Sequence, residues 1–157
     1  MTQLPDKFKL QVAQLLGQEE VDGLCRALLE EPTVSVRVNR AKAGCPPQDV
    51  ENERVPWCET GYYLSSRPSF TLDPLFHAGT YYVQEASSMF IEQAFKTMDF
   101  QPQRMLDLCA APGGKSTLWR SLLPDGALLV ANEPIRQRAM ILLENLTKWG
   151  HPDVVVT

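Results

Sequence analysis

The sequence lacks several patterns that would place it in a common class. It has no long hydrophobic run that could span a membrane, and residues 1–8 lack the basic and apolar regions of a secretory signal. Its four cysteines, Cys25, Cys45, Cys58 and Cys109, form no C-x-x-C pair, which argues against a zinc site or thioredoxin-like redox chemistry. We therefore expect a cytoplasmic protein with reduced thiols and no bound metal.

The sequence also has no excess of positive charge. It contains 15 Lys and Arg against 19 Asp and Glu, for a formal net charge of −4. Because Lys and Arg supply most non-specific affinity for phosphates, this balance argues against a free-standing RNA-binding module. With 157 residues, 44% of them hydrophobic and 22% charged, the chain has the composition of a globular protein with one core or two small ones.

The most informative stretch runs from residue 104 to residue 123. Residues 104–108 form a short apolar run, residues 110–114 lack bulky side chains, and residues 116–123 are compatible with a helix that ends before Pro124. Small residues let a ligand approach the backbone, and the free N–H groups at a helix start favour an anionic group. We therefore expect a turn that binds a charged or zwitterionic cofactor.

Spacing separates three classes of ligand that use such turns. A P-loop requires G-x-x-x-x-G-K-[ST], and Gly114, Lys115 and Ser116 match its end, but Cys109 stands at the position of its first glycine. The dinucleotide pattern G-x-G-x-x-G is absent. The third class, S-adenosylmethionine, offers a carboxylate to the turn and ribose hydroxyls to an acid on the next strand. P-loop-like nucleotide binding stays open as the alternative.

An acid stands where a ribose-binding residue is expected. Residues 127–131 read as a second buried strand, and Glu133 follows it, 26 residues after Asp107. An acid at the end of the second strand of a doubly wound sheet accepts hydrogen bonds from ribose hydroxyls. The alternative role of Glu133 is to cap the helix predicted to start at Pro134. In combination with the turn, the pattern favours the ribose role.

Several stretches resemble one enzyme family. Residues 107–117, DLCAAPGGKST, resemble the cofactor motif of the Nop/Sun class of RNA cytosine methyltransferases, in particular of bacterial RsmF-type enzymes. Residues 67–70 and 81–89 resemble the segment that precedes the cofactor domain in this family, and residues 35–39 resemble a strand further upstream. The resemblance extends from about Thr33 to the end of the chain.

The resemblance implies the chemistry of the full-length enzymes. They transfer a methyl group from S-adenosylmethionine to carbon 5 of a cytosine in RNA, here small-subunit ribosomal RNA, after a cysteine thiolate adds to carbon 6. The thiolate comes from motifs that lie beyond the third strand, whereas this sequence stops at Thr157, inside the expected third strand. We therefore expect an N-terminal portion of such an enzyme, with part of the cofactor site, no catalytic residue and no activity of its own. A non-catalytic interaction module on the same fold is a further alternative.

The expected cofactor-binding residues are the turn and the acid after the second strand, namely Cys109, Ala110, Ala111, Pro112, Gly113, Gly114, Lys115 and Glu133. Cys109 is interpreted as a small turn residue and not as a nucleophile, because no histidine lies near it in the sequence. Lys115 meets the cofactor carboxylate in one interpretation and is an exposed helix-start lysine in the other. Candidate RNA contacts, with a solvated surface as the alternative, are Arg37, Asn39, Arg40, Arg67 and His77.

The predicted fold is α/β: a small N-terminal α+β domain over residues 1–80, then the first half of a Rossmann-like S-adenosylmethionine-dependent methyltransferase domain over residues 81–157. The hydrophobic pattern and the Gly and Pro positions predict helices at 4–16, 19–30, 48–51, 85–96, 116–123 and 134–149, a one-turn helix after Asp73, and strands at 33–38, 55–57, 62–64, 104–108 and 127–131. The face of the first strand that carries Ser35 and Arg37 is expected to be open to a partner. The parallel strands are expected in the order 3-2-1, which leaves residues 104–108 at an open edge and predicts self-association.

Overall fold

The computed structural model describes residues 4–42 and 53–157 of the chain. The short helix predicted at residues 48–51 lies outside the described residues. The chain divides into two compact units, residues 1–33 and residues 34–157. Within the described ranges, no helix has the length and apolar character that crossing a membrane requires.

The first unit contains two helices, α1 (Asp6–Leu16) and α2 (Gln18–Ala27). Gly17 separates them with a positive φ of 88°, so α1 ends where the glycine predicts. Leu15 and Leu16, which the helical spacing places on one apolar face of α1, are 82% and 57% exposed. Helical periodicity predicts which residues share a face, but it does not show that another element covers that face.

The second unit begins with an antiparallel sheet. Its strands are β1 (Val34–Val38), β2 (Gly61–Leu64) and β3 (Tyr81–Val83), in the order β2-β1-β3. The central strand β1 pairs with both neighbours. One face of the sheet packs into a cluster that contains Val36, Phe70 and Tyr81. This sheet is the β part of the predicted α+β region.

The strand predicted at residues 55–57 is wrong. Arg54 forms a single bridge with Tyr62, and the chain then turns, with the Cys58 N–H donating to Val55 O at 3.1 Å. Val55 and Cys58 are buried with Met89 in a small apolar cluster. The apolar run is therefore a core-facing turn, and β3, which the sequence did not predict, supplies the third strand.

Short helices lie between β2 and β3 and between β3 and the parallel half of this unit. The predicted one-turn helix is confirmed as α3 (Pro74–His77), and the Asp73 carboxylate caps it by accepting from the Leu75 N–H at 2.8 Å. The helix predicted at residues 85–96 is two helices, α4 (Ala86–Met89) and α5 (Ile91–Lys96), which meet at Phe90.

A parallel sheet with two crossover helices completes the unit. Its elements are β4 (Arg104–Asp107), α6 (Gly114–Leu122), β5 (Leu128–Ala131), α7 (Arg136–Trp149) and β6 (Val154–Val156). The strands lie in the order β4-β5-β6, which confirms the predicted order 3-2-1 and the first half of a Rossmann-like sheet. A buried cluster joins the sheet to α7 through Ala131, Leu142 and Leu146.

The second face of β1 is buried, so the prediction that it is open to a partner is wrong. Ser35 is 3% exposed and Arg37 is fully buried. The Ser35 hydroxyl donates to Gln84 O at 2.6 Å, and the Arg37 guanidinium donates to Gly114 O at 3.3 Å. Alternation along β1 predicted the two faces, but it could not show that α6 covers the polar one.

Strand β4 forms an edge of the parallel sheet, with Leu106 57% exposed and Leu108, just beyond its end, 64% exposed. An open apolar edge is a template for pairing with another chain. We expect the chain to self-associate through this edge, and Leu106→Lys with Leu108→Lys to shift it toward monomer in light scattering. Leu72→Lys is the control, since Leu72 is 81% exposed but lies outside the sheet. A monodisperse wild-type monomer at high concentration would contradict this prediction.

Candidate cofactor site

The predicted turn lies where two parallel strands end side by side. Asp107 of β4 pairs with Ala131 of β5, and the next residue, Asn132, donates its N–H to Asp107 O at 2.8 Å. The Ala110 N–H in turn donates to Asn132 O at 3.0 Å. These bonds place the turn beside the segment that carries Glu133, at the carboxyl end of the sheet, where ligands of open α/β sheets bind.

The Asp107 carboxylate holds the turn in shape. One oxygen accepts from the Cys109 N–H at 3.2 Å, and the other accepts from the Ser116 hydroxyl at 2.7 Å. Asp107 and Ser116 are buried, so this bracing is shielded from water. Asp107 and Ser116 are not among the expected site residues, although an acid at the end of a strand and a hydroxyl at the start of the next helix are a signal that the sequence contains.

The turn offers small residues and an uncapped helix start. Gly113 has a positive φ of 112° and precedes α6, and among the residues that the structure describes no side chain caps the first N–H groups of that helix. The Ala111–Pro112 peptide bond is cis. Cys109 and Lys115 are exposed, and Lys115 forms no hydrogen bond or ion pair with a described residue. Free N–H groups, an exposed lysine and the positive end of a helix suit a carboxylate.

Three side chains from other elements hold the carbonyl groups of the turn. The Tyr82 hydroxyl and the Asn145 side-chain amide donate to Pro112 O at 3.3 and 2.7 Å, and the Arg138 guanidinium donates to Ala111 O at 3.1 Å. Burial raises the pKa of the Tyr82 phenol, against a smaller opposing effect of Arg37. The phenol therefore stays protonated and able to donate near neutral pH.

Glu133 is buried and contacts the start of α7, the helix that follows it. Its Oε1 accepts from the Ile135 N–H at 3.0 Å, and its Oε2 lies 3.2 Å from Arg138 Nη1. Helix α7 begins at Arg136, so the prediction that Pro134 opens it is wrong by two residues. Arg138 therefore joins Glu133 to the turn, a role that no sequence pattern indicated. Each carboxylate oxygen has a second lone pair that a ligand hydroxyl can use.

Arg37 reaches the underside of the turn from β1. Its guanidinium donates to Gln84 Oε1 at 3.0 Å, to Gly114 O and to the Thr117 hydroxyl, and it lies 4.5 Å from the centre of the Trp149 ring. Burial lowers its pKa to about 10, although nearby Cys58, Tyr82 and Glu92 act in the opposite direction. Arg37 is therefore charged at neutral pH directly below the start of α6.

The candidate RNA contacts separate into buried and exposed residues. Arg37 and Asn39 are buried and donate hydrogen bonds to distant backbone carbonyl groups, so the prediction that these two residues contact RNA is wrong. Arg40 pairs with Glu59, His77 Nε2 lies 2.9 Å from Thr71 O, and Arg67 is exposed. Among the described residues, no three His, Cys, Asp or Glu side chains lie close enough together to hold a metal ion.

Two family models match the chain. The model described as the N-terminal domain of 16S rRNA methyltransferase RsmF matches residues 4–86, and the model of 16S rRNA methyltransferase RsmB/F matches residues 97–157. The chain belongs to the RsmF family. This membership supports the methyltransferase interpretation over P-loop-like nucleotide binding.

Curated relatives carry the same family name. The chain is 34% identical to the ribosomal RNA small subunit methyltransferase F of Aeromonas hydrophila over 99% of its own length and 36% of the relative's. It is equally identical to the enzyme of that name from Shewanella sp. strain ANA-3 over its full length and 35% of the relative's. The chain thus spans about a third of the length of these RsmF relatives.

Solved structures have the same fold. A methyltransferase homolog protein from Pyrococcus horikoshii aligns with a TM-score of 0.81 and 28% identity, over 98% of this chain and 52% of that one. The structure of NSun6 from Pyrococcus horikoshii with SFG aligns with a TM-score of 0.77 and 15% identity, over 98% of this chain and 65% of that one. At this lower identity, the NSun6 match supports the Rossmann-like fold alone.

Proposed function

We propose that this chain forms part of the S-adenosylmethionine site of an RNA cytosine-5 methyltransferase that acts on small-subunit ribosomal RNA in the cytoplasm. The observation that carries the proposal is the turn after β4, braced by Asp107 and Ser116, with Glu133 beside it at the end of β5. The RsmF relatives are named for this substrate class. The division into domains at residues 1–80 and 81–157 stays part of the proposal.

The residues present fit such a cofactor. The uncapped start of α6, Lys115 and the small turn residues would hold the amino-acid carboxylate, and Glu133 would accept from the ribose hydroxyls. The cofactor, when bound, supplies the methyl group. Cys109, Ala110, Ala111, Pro112, Gly113 and Gly114 would line the approach to its amino-acid end. The solved NSun6 structure that shares this fold contains SFG.

Glu133→Gln is expected to weaken binding of S-adenosylhomocysteine about tenfold, or about 1.4 kcal/mol, because a neutral amide replaces a charged acceptor. The amide oxygen can still accept from the Ile135 N–H, so the helix start is retained. Calorimetric titration measures the affinity. Glu144→Gln is the control, since Glu144 pairs with Lys148 on the surface of α7. Unchanged affinity in folded Glu133→Gln would remove Glu133 from the site.

The purified 157-residue chain is expected to transfer no methyl groups. The resemblance places the attacking thiolate in a Thr-Cys motif and a second cysteine in a Pro-Cys motif, and none of the four cysteines here follows Thr or Pro. Transfer of labelled methyl groups to small-subunit ribosomal RNA is the measurement. Incorporation by the chain alone would show that the mechanism carried over from the family is wrong.

A further inference from the structure

A cavity of about 300 Å³ lies between the antiparallel sheet and the second half of α7. We call it the aromatic cavity, because five of its lining residues are Phe70, Phe76, Tyr81, Tyr82 and Trp149. Three of these rings pack with centre-to-centre distances of 6.0 to 6.3 Å and tilted planes. This volume is at the lower end of the range for small-ligand pockets. The size and lining suit one planar, polarisable group such as a nucleobase.

Two cations line the aromatic cavity. The Arg67 guanidinium lies 5.8 Å from the centre of the Phe70 ring, and the Lys148 ammonium lies 5.6 Å from the centre of the Phe76 ring. Arg67 forms no hydrogen bond or ion pair with a described residue. Lys148 pairs with Glu144 at 2.5 Å, but Glu144 is mostly exposed, and such pairs contribute little stability. Both cations can therefore turn to an incoming phosphate.

The aromatic cavity shares side chains with the cofactor turn. Tyr82 and Asn145 line it, and both donate to Pro112 O. Gly79 also lines it, and a Cβ on Gly79 would overlap the backbone oxygen of Lys148, so this part of the wall depends on a glycine. A ligand in the cavity would thus lie one side chain away from the turn.

We propose that the aromatic cavity binds one nucleotide of single-stranded RNA, with the base against the aromatic wall and a phosphate between Arg67 and Lys148. Unpaired RNA is held by stacking of its bases on aromatic side chains together with contacts from Lys or Arg to its phosphates. The aromatic cavity supplies both kinds of contact locally, through its rings and through Arg67 and Lys148, in a chain whose net charge is −4. The proposal rests on the proposed function for its substrate class, and it adds a site that lies outside the cofactor residues.

The test is an NMR titration of the full 157-residue chain with a single-stranded RNA of five cytidines at low salt. We expect saturable shifts of the Asn145 side-chain amide and the Trp149 indole. Arg67→Met is expected to weaken the affinity for this RNA about tenfold. It is also expected to reduce the slope of log affinity against log salt concentration by about one, as the loss of one phosphate contact would. Phe76→Leu is expected to weaken it at least fivefold through lost stacking, which is about 1 kcal/mol or more.

Arg54→Met is the matched control, because Arg54 also lies over an aromatic ring, 5.0 Å from the Tyr62 centre, but outside the cavity. Equal losses in Arg54→Met and Arg67→Met would show non-specific charge attraction and overturn the proposal. So would the absence of saturable shifts at Asn145 and Trp149.

A parallel titration with S-adenosylhomocysteine separates the nucleotide site proposed here from the proposed cofactor site. Cofactor binding without RNA binding refutes only the proposal that the aromatic cavity binds a nucleotide. RNA binding without cofactor binding refutes the proposed cofactor site.

Discussion

Gly79→Ala is expected to lower the free energy of unfolding by about 4 kcal/mol, through backbone strain and a steric clash together. Gly79 has a positive φ of 68°, and a Cβ there would overlap the Lys148 backbone oxygen and lie 2.5 Å from its carbonyl carbon. Lys148 lies in the last turn of α7, so its backbone cannot move aside at low cost. Relief of the clash would pull Gly79 O from the Asn39 side chain, which bonds it at 3.1 Å.

Gly126→Ala is the matched control for this prediction. Gly126 has a similar positive φ of 78°, but a Cβ there meets nothing within 4 Å. Its expected cost is only that of the left-handed backbone, about 1–2 kcal/mol. Urea unfolding of both variants measures the difference. Equal losses would show that Gly79 does not approach the backbone of α7 as closely as described.

Arg37→Met is expected to lower the free energy of unfolding by about 3 kcal/mol, because the buried Gln84 Oε1 and the buried Thr117 hydroxyl both lose a charged donor. The substitution keeps an apolar stem beside Trp149, but it leaves Gln84 Oε1 and Gly114 O without the guanidinium. Arg37→Lys is not a conservative replacement here, since an ammonium cannot reproduce the fork of donors. The hydrogen bonds that Arg37→Met removes join the antiparallel sheet to the start of α6.

Arg54→Met serves as the control for Arg37→Met. Arg54 is an exposed arginine that donates to Glu59 O at 3.1 Å, and a surface substitution of this kind is expected to change stability by less than about 0.5 kcal/mol. Thermal and urea unfolding measure both variants. If Arg37→Met is as stable as Arg54→Met, the buried bonds of Arg37 do not join the sheet to α6.

The parallel half of the fold could be predicted from the sequence because several local signals agree. Residues 104–108 and 127–131 are apolar runs bounded by turn residues, and they became β4 and β5. In the antiparallel half, Asp73 before a proline predicted a one-turn helix, and α3 begins at that proline. Each of these elements is determined by residues close together in the chain.

The arrangement of the antiparallel sheet was harder to predict because it depends on distant residues. Arg37 lies in an alternating strand, and its burial depends on Gly114 and Thr117, which are 77 and 80 residues away. The same holds at the candidate site. The turn and Glu133 could be located from spacing, whereas the Arg138 contacts depend on how α7 packs.

A titration of the isotope-labelled chain with S-adenosylhomocysteine, followed through backbone amide signals, tests the proposed cofactor site most directly. We predict saturable shifts that are largest at Cys109, Gly113, Gly114, Lys115 and Glu133, with the aromatic cavity less affected. The uncapped start of α6 and the acid beside the turn are the physical reasons for this pattern. Largest shifts in another part of the chain, or no saturable binding at millimolar ligand, would contradict the assignment of the cofactor site.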